Sequence, residues 1–92
     1  MDKKELIKID RIFPFEGNTP TKAFFDLLIL DTFIVKGLRI VQGKEGLFVS
    51  MPQQKGRDGK WYNTFLTLSK DTHKEVERLA LEEYRETNKT PN

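Results

Sequence analysis

The chain has 92 residues, no cysteine, one histidine and a net charge of +2. This length allows one hydrophobic core, and a hydrophobic content of 37% argues against a disordered chain. The composition excludes disulfide bridges and thiolate metal sites, and no apolar run reaches the ~18 residues of a membrane span. We expect a cytoplasmic protein without a signal peptide, because the first ten residues lack an apolar segment.

The first third of the chain predicts two β-strands. Residues 6–15 alternate apolar and polar side chains, which is typical of a half-buried strand. Residues 21–30 are apolar on both faces except at Lys22 and Asp26. A helix segment would also show this pattern, but the turn-forming flanks and the short length favour a strand covered on both sides.

Three further strands are expected in the middle of the chain. Residues 33–42 are β-branched and alternate, and Gly37 is expected to form a bulge. Residues 47–51 form a short strand after a hairpin-type turn. A polar loop covers residues 53–60, and residues 61–68 resume strand character.

The last third changes to helical periodicity. Residues 69–86 place four apolar side chains on one face, namely Val76, Leu79, Ala80 and Tyr84. Ser69, Asp71 and Thr72 are alternative N-caps for this helix, and residues 87–92 are expected to be frayed.

The order of elements predicts the fold class. Five strands joined by hairpin-length connections favour antiparallel neighbours. We therefore predict an α+β fold in which a C-terminal amphipathic helix packs on an antiparallel sheet of about five strands. It forms one domain over residues 1–92, with its core at about 6–86.

Catalytic and metal-binding groups are scarce. One histidine, His73, cannot form a structural metal site, which needs about four ligands. Ser50 and Ser69 lack a base in any familiar nucleophile pattern. We expect no enzyme, cofactor, metal or small-molecule substrate. The alternative is a cryptic active site in a concave pocket around Asp26 or His73, where a perturbed pKa would mark it.

The charge is unevenly distributed along the chain. Residues 36–62 contain six basic and two acidic residues, whereas residues 70–86 contain four basic and six acidic ones. A local basic field attracts polyanions, and lysine and arginine release counterions when they neutralise phosphates. Three cations are concentrated in the polar loop, namely Lys55, Arg57 and Lys60.

Aromatic residues follow this loop at once. Gly56 and Gly59 let the backbone approach a bulky partner, and Trp61 and Tyr62 offer stacking surfaces. Adjacent strand residues face opposite ways, so only one of the two rings is expected to be available. The alternative interpretation is a solvated hairpin loop with Trp61 in the core.

A specific pattern runs through residues 33–59. It combines an Arg-aliphatic-aliphatic step at 39–41, a Gly-x-x-Gly turn at 43–46, the run Gly-Leu-Phe-Val-Ser-Met-Pro at 46–52 and a basic loop that closes on Asp58-Gly59. The opening of the terminal helix adds Ser69, Asp71 and Thr72. With these motifs the chain resembles the SpoVG family of small bacterial proteins over residues 6 to 85.

The resemblance implies a function. Members of the family form homodimers through strand contacts and bind DNA, in some cases RNA, to regulate genes linked to septation and sporulation. None is an established enzyme. The basic residues that the family links to nucleic-acid contact correspond here to Lys55, Arg57, Lys60, Arg39, Lys70 and Lys74. The alternative is a protein-interaction adaptor that uses a strand edge or the acidic helix face without nucleic acid.

Overall fold

A computed structural model describes residues 6–89. The elements in chain order are β1 (Ile7–Pro14), β2 (Thr21–Ile29), β3 (Phe33–Gly43), β4 (Gly46–Ser50), β5 (Gln53–Lys55), β6 (Trp61–Asn63) and α1 (Lys70–Lys89). The first four strands form one antiparallel sheet in the order β1-β2-β3-β4, and β5 pairs with β6 in a separate hairpin. The predicted α+β fold, with an antiparallel sheet and a C-terminal helix, is confirmed.

The strand count differs from the expected five. The polar loop begins with β5, which pairs through only three residues, so β6 has no partner beyond Asn63. The strand predicted over 61–68 is therefore wrong after Asn63. At that point the Thr64 amide donates to the Pro52 carbonyl oxygen at 2.8 Å, and the chain leaves the hairpin.

The helix also extends further than predicted. It continues through Lys89, three residues beyond the predicted end at residue 86, and the frayed tail expected over residues 87–92 stays a prediction. Residues 90–92 of that tail, and residues 1–5 of the segment considered for a signal peptide, lie outside the described residues.

One face of the sheet and one face of α1 enclose the core. The buried apolar side chains come from three strands, the segment after β4, and α1: Ala23, Phe25, Leu27, Leu38, Ile40, Val49, Met51, Val76 and Ala80. Tyr84 packs against this cluster, so three of the four predicted helix positions contact the core. Leu79, the fourth, lines a groove together with Ile7 and Ile9 of β1.

A bulge shapes β3. The register passes from the Phe25–Leu38 pair to the Leu27–Val35 pair, so one β2 residue opposes two β3 residues. One of these two is Gly37, whose φ of +90° lies in the left-handed region that favours glycine. The predicted bulge at Gly37 is confirmed, and it gives β3 a local bend beside Pro52.

Two side-chain contacts hold the start of α1. Ser69 is the N-cap, because its Oγ accepts a hydrogen bond from the Thr72 amide at 3.1 Å. Two turns later Glu77 reaches the sheet, and its Oε2 accepts from the Val49 amide of edge strand β4 at 3.2 Å. The helix thus covers a backbone donor that β4 leaves unpaired within the sheet.

Candidate functional site

The β5–β6 hairpin sorts its side chains onto two faces. Its cross-strand pairs are Gln53–Asn63, Gln54–Tyr62 and Lys55–Trp61. Directly paired residues share a face, so Lys55 and Trp61 lie on the same side as Gln53, and Tyr62 lies on the other side. The two aromatic rings therefore have different roles.

Tyr62 closes the basic loop. Its hydroxyl donates to the Asp58 carboxylate, whose other oxygen accepts from the Lys60 amide at 3.0 Å. The Gly56 amide donates to the Lys60 carbonyl oxygen at 2.7 Å, which completes the turn. A Cβ at Gly56 would lie 2.8 Å from a ring carbon of Tyr62, so the ring packs directly on the loop backbone.

These contacts have electrostatic consequences. Hydrogen bonds from Tyr62, and then from the Lys60 amide, lower the pKa of Asp58. The same bond raises the pKa of the Tyr62 phenol, because its neutral form is the donor. The one acidic side chain of the loop is thus occupied by the turn itself, and the cationic side chains extend into solvent.

Trp61 is exposed. Its side chain is 62% accessible, so the interpretation that placed it in the core is wrong. It forms one wall of a shallow cleft of about 430 Å³, whose other walls are Gly37, Arg39 and Gln53. The bulge at Gly37 packs against Pro52, and this brings the hairpin next to β3. The tertiary fold therefore unites a stacking surface with a guanidinium group.

The predicted site residues fall into two groups. Lys55, Arg57 and Lys60 are all exposed on the hairpin. Arg39 is half-buried and donates to the Ser50 hydroxyl at 3.2 Å, which orients its guanidinium beside the cleft. Two predicted residues do not line this cleft but lie on the first two turns of α1: Lys70 and Lys74.

The sequence reasoning did not assign the aromatic side chains near Arg39. Phe13, Phe24, Arg39 and Ser50 are successive cross-strand partners in one row across the four strands. We call the sheet face that carries this row the open face, since α1 packs on the opposite one. The sequence signal that could have located this row is phenylalanine at strand positions that alternate with the core residues.

The residues considered for catalysis lie elsewhere. Asp26 is 9% exposed and faces Arg11 in the β1–β2 register. His73 has its Nε2 3.4 Å from Glu77 Oε2 on α1. Across residues 6–89, no group of three or more His, Cys, Asp or Glu side chains is arranged to hold a metal ion. Over the same range, α1 is too polar to cross a bilayer.

Comparison with known proteins identifies the family. The SpoVG family model matches residues 5–86 of this chain. The chain belongs to the SpoVG family. The resemblance seen in residues 33–59 is therefore confirmed, and the hairpin and its cleft are features of a SpoVG domain.

Individual SpoVG relatives cover most of the chain. A protein of Archaeoglobus fulgidus is 34% identical over 76 residues, which are 83% of this chain and 89% of that protein. A Myxococcus xanthus protein is 34% identical over 74 residues, covering 80% and 74%. An Agathobacter rectalis protein is 29% identical over 75 residues, covering 82% and 86%. All three bear the name "Putative septation protein SpoVG".

Proposed function

We propose that this SpoVG protein is a cytoplasmic, homodimeric regulator that binds DNA, and RNA as a second target, in gene regulation linked to septation and sporulation. It acts as a binding protein rather than an enzyme. The observation that supports this most directly is the hairpin. It presents three exposed cations, Lys55, Arg57 and Lys60, next to the exposed ring of Trp61.

The hairpin suits a phosphate backbone. Its loop is already ordered by the Tyr62–Asp58 and Gly56–Lys60 hydrogen bonds, so binding orders little backbone. Each cation that neutralises a phosphate releases condensed counterions, which provides affinity without sequence selection. Trp61 adds a ring face for stacking, and Arg39 adds a planar guanidinium on the other wall of the cleft.

Dimerisation through a strand edge is also part of the proposal. Strand β1 ends the sheet and is paired on one side only, with β2, among the described residues. At the opposite edge, Glu77 already covers the Val49 amide of β4. A contact through β1 would place two hairpins in one particle, and two linked sites gain avidity from the high effective concentration of the second.

The direct test is binding at several salt concentrations. Labelled duplex DNA and single-stranded RNA are titrated with wild type and with the K55A/R57A/K60A variant, and anisotropy is read. For duplex DNA, the slope of log affinity against log salt should become shallower by up to about three units, because each lost phosphate contact removes ~0.9. A matched variant, K70A/K74A/R85A, removes the same charge from α1 and should have a smaller effect.

Two results would contradict the proposal. Wild-type protein that binds neither nucleic acid at low salt rules out the regulator. An α1 variant that loses as much affinity as the hairpin variant moves the site away from the hairpin. The dimer is tested separately by sedimentation equilibrium, where a particle of 10.8 kDa would be a monomer.

A groove supports a second candidate function, a protein-interaction adaptor. It lies between β1 and α1, and apolar side chains, three glutamates and one lysine line it: Ile7, Ile9, Leu79, Glu82, Glu83, Glu86 and Lys8. An apolar floor with an acidic rim suits a basic amphipathic peptide. In that case charge reversal at Glu82 and Glu83 would abolish partner binding, while the hairpin variant would retain it.

A further inference from the structure

The open face of the sheet is unusually aromatic. Phe13 and Phe24 are neighbours in the row that ends in Arg39 and Ser50. Phe48 pairs with Val41, two residues beyond Arg39 on the same face of β3. Cross-strand neighbours lie about 4.8 Å apart, so Phe13, Phe24 and Arg39 lie side by side, whereas the Phe48 ring lies further along the sheet, against Gly43.

This aromatic surface is open to solvent. Phe13, Phe15, Phe24 and Phe48 are each between 41% and 48% exposed. Phe15 and Phe24 contact each other edge to face, with ring centroids 6.4 Å apart, so their relative orientation is set without a partner. With about 200 Å² for a whole aromatic side chain, the four leave on the order of 350 Å² exposed.

A second copy of the chain is a poor occupant for this face. A stable dimer buries about 800 Å² on each partner, and these four aromatic side chains would supply less than half of it. A two-fold contact whose axis runs along the row would also bring the two Arg39 guanidinium groups together, and like charges brought into an interface cost free energy.

An unpaired nucleic-acid strand fits the same surface. Unpaired bases stack on aromatic rings and on arginine planes, whereas bases in a duplex are already stacked on each other. Arg39 lies in the aromatic row and also lines the cleft beside Trp61, so the open face continues directly into the cationic hairpin. Asp26, two residues beyond Phe24 on β2, is buried and faces Arg11.

We propose that the open face binds single-stranded nucleic acid by stacking unpaired bases on Phe13, Phe24 and Phe48, while the hairpin holds the adjoining phosphates. This inference rests on the proposed nucleic-acid function and specifies its ligand as an unpaired strand. Stacking does not read the sugar, so single-stranded DNA and RNA are both accepted.

The test separates base contacts from phosphate contacts. Wild type, F13L and F24L are titrated at fixed salt with 12-nucleotide oligo(dT), 12-nucleotide oligo(U), an abasic strand with the same number of phosphates, and a 12-base-pair duplex. Leucine keeps apolar bulk but has no ring face. The control is F33L, because Phe33 is also exposed but shares a row with Ile29, whose side chain packs on the core.

The expected result is a loss of affinity only for the strands that carry unpaired bases. F13L and F24L should each bind oligo(dT) and oligo(U) about fivefold or more weakly, since an aromatic stack contributes that much per base. Binding of the abasic strand and the duplex should not change, and F33L should match wild type. Thermal unfolding checks each variant, and F13L, at the more exposed position, decides the result if F24L unfolds.

Two outcomes would overturn the inference. Equal binding of oligo(dT) by wild type, F13L and F24L shows that the open face does not stack bases. Loss of base-dependent binding in W61L alone would place all stacking at the hairpin. In both cases the proposed function still holds if the K55A/R57A/K60A variant binds nucleic acid more weakly than wild type. If wild type binds no nucleic acid, the proposed function and the stacking inference are both refuted.

Discussion

Replacing Glu77 by alanine is expected to destabilise the fold through the sheet rather than through the helix. Glu77 Oε2 accepts from the Val49 amide at 3.2 Å, and Val49 is a core residue of edge strand β4. Without this acceptor the part-buried amide is left without its partner, which costs about 1–3 kcal/mol. In a domain of this size a loss of about 2 kcal/mol lowers Tm by roughly 8–16 °C.

The assay is urea unfolding followed by circular dichroism, with thermal unfolding in parallel. E83A is the matched control, because it makes the same change at an exposed position of the same helix. E77Q tests the mechanism, since its amide oxygen can still accept from Val49, and it should lose less than half as much stability as E77A. Equal midpoints for E77A and E83A would refute the role assigned to Glu77.

Three further predictions concern the core and the hairpin. L38A should cost about 2–5 kcal/mol in urea unfolding, because Leu38 is fully buried, and a cost below 1 kcal/mol would contradict the described core. The Tyr62 phenol should titrate above pH 10.0 by ultraviolet absorbance, and D58A should return its pKa toward that value. Because the folded pKa is raised, the contact with Asp58 stabilises the loop fully below pH 10, and this stability is lost as pH rises through the folded pKa. An unshifted Tyr62 would refute the contact. Trp61 fluorescence should be quenched by iodide more than by caesium, and K55A should reduce the difference; equal quenching would contradict the cationic setting.

Much of the fold follows from local patterns. The alternation of residues 33–42 and the helical spacing of Val76 and Ala80 each report burial on one face, and the structure has these faces in the core. Gly37 marks a bulge because few other residues adopt its backbone conformation. The motifs at residues 33–59 are equally local, and together with the opening of the terminal helix they indicated the SpoVG family.

Some boundaries depended on contacts that a local pattern does not contain. Three residues were alternative caps for α1, and the choice of Ser69 depends on where the chain leaves the hairpin. Residues 61–68 have strand-like alternation, yet a strand needs a partner, and β5 offers one only as far as Asn63.

Part of the candidate site could likewise be predicted from the sequence, and part depended on tertiary contacts. The cations of the hairpin could be named from the sequence, since they lie within a few residues of each other. The meeting of Trp61 with Arg39 could not, because it depends on how the hairpin packs beside the bulge of β3. Alternation assigns Phe13 and Phe24 to one face of the sheet, but only the packing of α1 decides which face is covered, and those rings lie on the face that stays open to solvent.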